Sequence, residues 1–272
     1  LFTHCPYRGR IIEKDKQAGW RGIASLVRQL RHSRYDLVVD LRTDGLTLLL
    51  RARQRLTRHK TRRKARKPGY HAVQRHFGVV VDHLGNPDIP SPRLWLTPAE
   101  HSFASAQLAG LPGPRRLALA PGARGPAKRW PAGHFATLAE QLQEQFDAVL
   151  LLGDNSERGL CSDIGKSLPL PYINLAGTSS LLQTAAILVQ SRLFIGNDSG
   201  AGHIAAATDT ATVTVFGPGD PARYHPWNPQ AQWVQHSTGR IGAVSVQAVA
   251  EQAFSALAAS PRQQAVPEPP RE

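Results

Sequence analysis

Methionine is absent from all 272 residues, and cysteine occurs only twice, as Cys5 and Cys161. Two cysteines this far apart make neither a C-x-x-C pair nor the ligand spacing of a zinc site. They read as free thiols of a reducing compartment, not as a disulfide framework. No apolar run approaches the roughly 18 residues of a membrane span. The chain opens on Leu1-Phe2-Thr3-His4 without the order of a signal peptide. An opening without Met leads us to expect that the native N-terminus lies upstream of Leu1. Internal repeats are lacking. A Walker A loop is lacking too, because Gly122-Ala123-Arg124-Gly125-Pro126-Ala127-Lys128 has no second Gly before the Lys and no Ser or Thr after it. What is present, 41% hydrophobic and 19% charged residues, fits a soluble globular chain long enough for two α/β domains.

Acidic residues are absent from 51–67, where ten Lys or Arg stand together and carry most of the net charge of +13. The basicity is therefore one patch. Such a patch suits a phosphate-rich partner, either an anionic membrane surface or a phosphorylated glycolipid, unless it is only a solvated loop. It lacks the interleaved aromatics that stack on bases, so nucleic acid is not expected as a partner.

The periodicity predicts helix over 20–33, strand over 35–41, and helix over 44–56 and 70–84. Thr97-Pro98-Ala99-Glu100 reads as a capping box with Pro at the first helical position. The Pro/Gly cluster 111–114 marks a boundary, giving an N-terminal domain over 1–110, a C-terminal domain over 111–259 and a disordered Pro-rich tail over 260–272. After the boundary, strands at 115–120, 147–152, 171–175, 192–197 and 211–216 alternate with helices at 132–146, 156–167, 179–190 and 201–208. A weak strand near 231–235 and a helix over 245–258 follow. Repeated βα units mean a parallel sheet with helices on both faces and a ligand crevice at the carboxyl ends of the strands.

Each of those strand ends delivers a polar loop. The loop 121–131 offers glycines for close backbone approach and Lys128 as a point charge for phosphate. Glu157 follows Gly153-Asp154-Asn155-Ser156, and a carboxylate there could accept two hydrogen bonds from a sugar diol. Asn197-Asp198-Ser199-Gly200-Ala201-Gly202-His203 turns from a strand into a small-residue helix whose first N–H groups make an anion site. The bland readings are a solvated Lys128, a first-turn acid at Glu157, a turn-holding His203 and a packing role for Trp130.

The ordered strings APGARGPAKRWPAGHFATLAEQL, LLLGDNSE, NLAGTSSL, FIGNDSGAGHIAAA and VTVFGPGDPARYHPWNP resemble the ADP-heptose:lipopolysaccharide heptosyltransferases of glycosyltransferase family 9 over about residues 115–258. GPAKRWP is most similar to the second heptosyltransferase type. The resemblance implies a GT-B fold of two Rossmann-like domains, the first one incomplete here. It implies inverting transfer of heptose from an ADP-heptose donor to the anionic inner core of lipopolysaccharide, with no metal and no cofactor. It also implies a cytoplasmic enzyme, peripheral on the inner membrane surface. Carried over residue by residue, Lys128 matches the lysine at the donor phosphates and sugar, and Glu157 the acid near the ribose. Asp198 matches a contact to the transferred sugar, and Ser199 and Gly200 the holders of the diphosphate, with His203 at the same turn. On the acceptor side, Arg42, Arg51, Arg53 and Arg55 are the candidates.

One departure stands out. The family opens on a strand and a Gly-Asp loop whose Asp serves as general base, and no such segment occurs in this sequence. We therefore expect the base to lie before Leu1 and this chain to transfer weakly. Asp40 reads as structural, and neither it nor Asp44 is assigned as a replacement. The alternatives are the same fold using another nucleotide sugar, or a non-catalytic module that binds nucleotide or anionic glycolipid.

Overall fold

The computed structural model describes residues 1–13, 17–41, 45–58 and 69–259. They form two compact units, Tyr7–Pro90 and a larger one comprising Leu1–Pro6 with Ser91–Glu272. The expected tail over 260–272 lies outside the described residues.

In the smaller unit, helix α1 (Gly19–Leu30) precedes β1 (Tyr35–Asp40), which pairs in parallel with β2 (Ala52–Thr57). The helix expected over 44–56 is instead a single 3-10 turn at Leu46–Leu49 followed by β2. Arg55 accounts for the difference. Its guanidinium donates to the carbonyls of Thr47, Leu50 and Ala52, at 3.1, 2.6 and 3.2 Å, so a side chain takes up acceptors of this stretch. The helix expected over 70–84 is confined to α2 (Ala72–Phe77), where the His71 side chain caps the Val73 N–H. Gly78 and the β-branched run Val79-Val80-Val81 then break it into turns.

The larger unit holds α3 (Pro98–Leu108), β3 (Arg116–Ala120), α4 (Ala132–Leu142), β4 (Ala148–Leu151), α5 (Arg158–Gly165), β5 (Tyr172–Asn174), α6 (Leu181–Val189), β6 (Leu193–Asn197), α7 (Gly200–Ala207), β7 (Ala211–Phe216), α8 (Pro221–Tyr224), β8 (Ala231–Gln235) and α9 (Val246–Ala259). The expected capping box starts α3, with Thr97 and Glu100 bonded reciprocally and Pro98 in the first turn. The sequence placed the domain boundary after residue 110, yet α3 lies with the larger unit. The reason is packing: Leu94, Leu96, Ala104 and Leu108 join the core beneath α6.

All strand pairs of this sheet are parallel, in the order β5-β4-β3-β6-β7-β8. The inner strands β3, β4, β6 and β7 are buried along nearly their whole length, which is why their sequences read as apolar runs, while the edge strands β5 and β8 are partly exposed. Alternate residues serve opposite faces. Leu117, Leu119, Leu193 and Ile195 meet α4, α5 and α9 residues such as Phe135, Leu138, Ile164 and Val249. Ala118, Ala120 and Phe194 meet Leu108 of α3, Ile187 and Leu188 of α6 and Ala205 of α7. The chain builds outward from β3 through β4 to β5, then returns to place β6 on the other side of β3. The order reverses there, and the helices that follow β3 and β6 lie on opposite faces of the sheet, the place where parallel α/β sheets form a ligand crevice.

Candidate functional site

Beyond the carboxyl ends of β3 and β6, two loops meet. The loop after β3 runs from Pro121 through a 3-10 turn at Pro126–Lys128, closed by Lys128 N–H donating to the Gly125 carbonyl at 2.9 Å. It ends on Trp130, which is 2% exposed and packs edge-on against Phe135 and His134. The Trp130 indole N–H donates to the Val244 carbonyl at 2.9 Å, so the bulky ring anchors the loop. The bland reading of Trp130 as a packing residue therefore describes its place.

That anchorage sets Lys128. Its Nζ lies 2.5 Å from Oδ2 of Asp198, the first residue after β6. The two side chains are 39% and 13% exposed, so the lysine end of the pair stays open to solvent. A more highly charged anion can therefore reach Lys128 and take it from Asp198. Asp198 leads directly into α7, whose N-cap Ser199 is extended at φ −149° and makes no side-chain capping bond. The first-turn N–H groups, from Gly200 onward, have no acceptor within their own helix. The cation and the positive end of the helix dipole thus converge at one turn, the dipole adding about 0.3–1 kcal/mol for a bound anion.

Small residues make this closeness possible. A Cβ on Gly217, just after β7, would sit 2.6 Å from the Ala127 carbonyl oxygen, and one on Gly219 would sit 3.1 Å from Oδ2 of Asp198. The loop that carries Lys128 is therefore pressed against the loop after β7. Gln235 of β8 supports that second loop by donating from Nε2 to the carbonyls of both Gly217 and Gly219 at 2.7 Å.

Glu157 lies on the β4 side of the crevice. Its carboxylate accepts from the Asp154 N–H at 3.0 Å as part of a capping box. It also covers Gly122, where a Cβ would fall 1.8 Å from Oε1. Glu157 is thus both a first-turn acid and a neighbour of the loop after β3. His203 stands one turn into α7 with an exposed surface. Partial burial and the nearby His225 lower its pKa from 6.5, against an opposing pull from Asp198.

The structure brings together Lys128, Asp198, Ser199, Gly200 and His203 at one turn, with Glu157 against the adjoining loop. The acceptor-side candidates lie in the smaller unit. Arg51, Arg53 and Arg55 are exposed there, while Arg42 and Asp44 fall outside the described residues. The guanidinium of Arg55 is tied to three backbone carbonyls. Asp40 is 7% exposed and accepts from the Thr47 hydroxyl at 3.0 Å, a structural role. Sequence reasoning placed Asn197 in the anion-site turn without giving its side chain a role, and it missed Gln235. The signal for Asn197 was a polar amide closing the apolar run Leu193–Gly196. Among the described residues, no group of three or more His, Cys, Asp or Glu could hold a metal ion, and no helix is long and apolar enough to cross a membrane.

Two curated relatives show how far the likeness extends. Lipopolysaccharide heptosyltransferase 2 of Escherichia coli (strain K12) is 32% identical over 179 residues, 61% of this chain and 51% of that protein. Lipooligosaccharide heptosyltransferase 2 of Haemophilus influenzae is 29% identical over 251 residues, 87% of this chain and 63% of that protein. The chain thus spans about half of the first of these relatives and under two thirds of the second. The solved structure of E. coli ADP-heptose lps heptosyltransferase II superposes with a TM-score of 0.70 at 23% identity, covering 94% of this chain and 86% of that one. That match extends the shared fold across both units. The sequence profile of glycosyltransferase family 9 (heptosyltransferase) matches residues 23–252, and the chain belongs to that family.

Proposed function

We propose that the larger unit holds an ADP-heptose donor and that the chain serves inverting transfer of heptose onto the anionic inner core of lipopolysaccharide. The observation that carries this reading is the Lys128–Asp198 pair at the start of α7, beyond the ends of the paired strands β3 and β6, where the strand order reverses. The leaving group of such a transfer is a nucleoside diphosphate. As the glycosidic bond breaks, negative charge grows on its oxygens. Lys128 and the first-turn N–H groups of α7 offer positive charge already in place for it. When the diphosphate takes Lys128, Asp198 is released toward the sugar, whose hydroxyls donate to a carboxylate. Glu157, over Gly122, accepts from the ribose hydroxyls. In the smaller unit, the exposed Arg51 and Arg53 supply charge for the phosphorylated acceptor and for the anionic inner membrane surface, on its cytoplasmic side.

Calorimetry with ADP, UDP and GDP tests the donor half. We expect ADP to bind best. Lys128→Ala should weaken ADP by about 10- to 150-fold, the range of a hydrogen bond to a charged group. Unchanged ADP affinity in that variant refutes the site. Arg51→Gln with Arg53→Gln should weaken binding to vesicles containing anionic lipid while sparing ADP, and equal loss of both would refute the division of labour.

A further inference from the structure

Asn197 has not entered the chemistry, yet it lies between the two loops that do. Its side chain is fully buried at 0% exposure. The carboxamide oxygen accepts from the backbone N–H of Trp130 at 3.1 Å, and the amide nitrogen donates to the Pro121 carbonyl at 2.7 Å. Pro121 and Trp130 are the first residue and a late residue of the loop that carries Lys128. A single side chain at the end of β6 therefore grips that loop at both ends. The next residue along the chain is Asp198, which the loop's Lys128 meets at 2.5 Å. The loop and the strand end thus touch twice, through a buried neutral amide and through an ion pair open to solvent at its lysine.

The two contacts differ in permanence. The ion pair is open to solvent at its lysine end and can exchange partners there. The amide bonds are buried, and breaking one strands a backbone group at the full desolvation cost. Only a side chain with a donor and an acceptor a short distance apart can serve an N–H and a carbonyl together, and a carboxamide is such a group. The close approach of Gly217 to the Ala127 carbonyl leaves the loop little room on its far side.

We infer that Asn197 is a positioning residue for Lys128: by bridging Pro121 and Trp130 it holds the lysine in register with the start of α7 while Lys128 exchanges Asp198 for the donor's diphosphate. This rests on the donor reading of the site.

The test is a double-mutant cycle read by ADP calorimetry on the full chain. Asn197→Ala should raise the ADP dissociation constant by about tenfold, the lower end of the range for a charged hydrogen bond. In the Lys128→Ala background the same substitution should change it less than twofold. A merely structural role would give equal losses in both backgrounds, and that additivity overturns the inference while leaving the donor reading intact. An unchanged affinity in Lys128→Ala alone overturns the donor reading, and this inference falls with it. Asn197→Asp supplies a second readout. A buried carboxylate is pushed toward protonation. Protonated, it donates to the Pro121 carbonyl and accepts from Trp130, as the amide does. Ionised, it faces that carbonyl with no proton to give. The ratio of variant to wild-type ADP affinity should therefore rise as pH falls, and a flat ratio refutes the bridging geometry. If neither variant folds, as judged by far-UV circular dichroism, Asn197 is a core residue only and the inference is withdrawn.

Discussion

Replacing Gly122 with alanine probes the site with a single methyl group. Gly122 is not among the residues at positive φ, so alanine meets no backbone penalty there. What it meets is Glu157, with Oε1 at 1.8 Å and Cδ at 1.9 Å from the new Cβ. Ordinary contact requires the carboxylate to retreat by at least about 1.5 Å. That movement gives up the 3.0 Å bond from the Asp154 N–H. The loss in stability is small, because the displaced group is the flexible end of a half-exposed side chain. The loss in nucleotide affinity is larger, because the carboxylate no longer stands where the ribose hydroxyls would reach it. A hydrogen bond to a charged group contributes about 1.5–3 kcal/mol, so ADP should bind about 10- to 150-fold more weakly. The assay is calorimetry on Gly122→Ala, Glu157→Ala and the double variant, with urea unfolding as the control for stability. In the Glu157→Ala background the space is empty, and Gly122→Ala should cost nothing further. An equal penalty in both backgrounds would refute the steric argument, and wild-type affinity in Glu157→Ala would refute the ribose assignment.

Two further outcomes follow from the packing and the caps. Trp130→Ala should destabilise the chain by about 3–5 kcal/mol in urea unfolding, since the ring is buried against Phe135 and His134 and its N–H serves Val244. A loss below 1 kcal/mol (about a fivefold change in the folding constant) would mean that the ring does not anchor the loop. Glu100 is held down to a pKa of about 2, first by the Thr97 hydroxyl, then by the Thr97 N–H and His4. Because the folded pKa lies below the ordinary 4.5, the stabilisation is present above pH 4.5 and is lost as pH falls toward 2. The stability difference between wild type and Glu100→Gln should shrink across that window, and a difference independent of pH would refute the cap's electrostatic part.

Much of the larger unit was legible because its elements obey local rules. Strands β7 and β8 fall at 211–216 and 231–235, as the apolar runs and turn residues indicate, and α7 lies within a residue of its expected span. Helix α4 stops at Leu142 and passes into a 3-10 turn at Gln143–Gln145, an end that periodicity alone overran. In the smaller unit the pattern over 44–56 read as helix. What overrode it was Arg55, whose guanidinium binds three carbonyls, an interaction that no periodicity encodes.

The site divides along the same line. Lys128, Glu157, Asp198 and the α7 turn stand in loops after strands, and their side-chain types declare the chemistry they can offer. Asn197 and Gln235 declare nothing, since what matters is which backbone groups they satisfy. For Asn197 those groups lie 67 and 76 residues away in sequence. A loop folded over a strand end must still satisfy its buried N–H and carbonyl groups, and no neighbouring strand is available to do it. A side chain carrying both a donor and an acceptor can satisfy both groups at once, and the buried amide that closes β6 does so. Read that way, the polar end of β6 contains two functions in consecutive residues: Asn197 fixes the loop, and Asp198 meets the charge that the loop delivers.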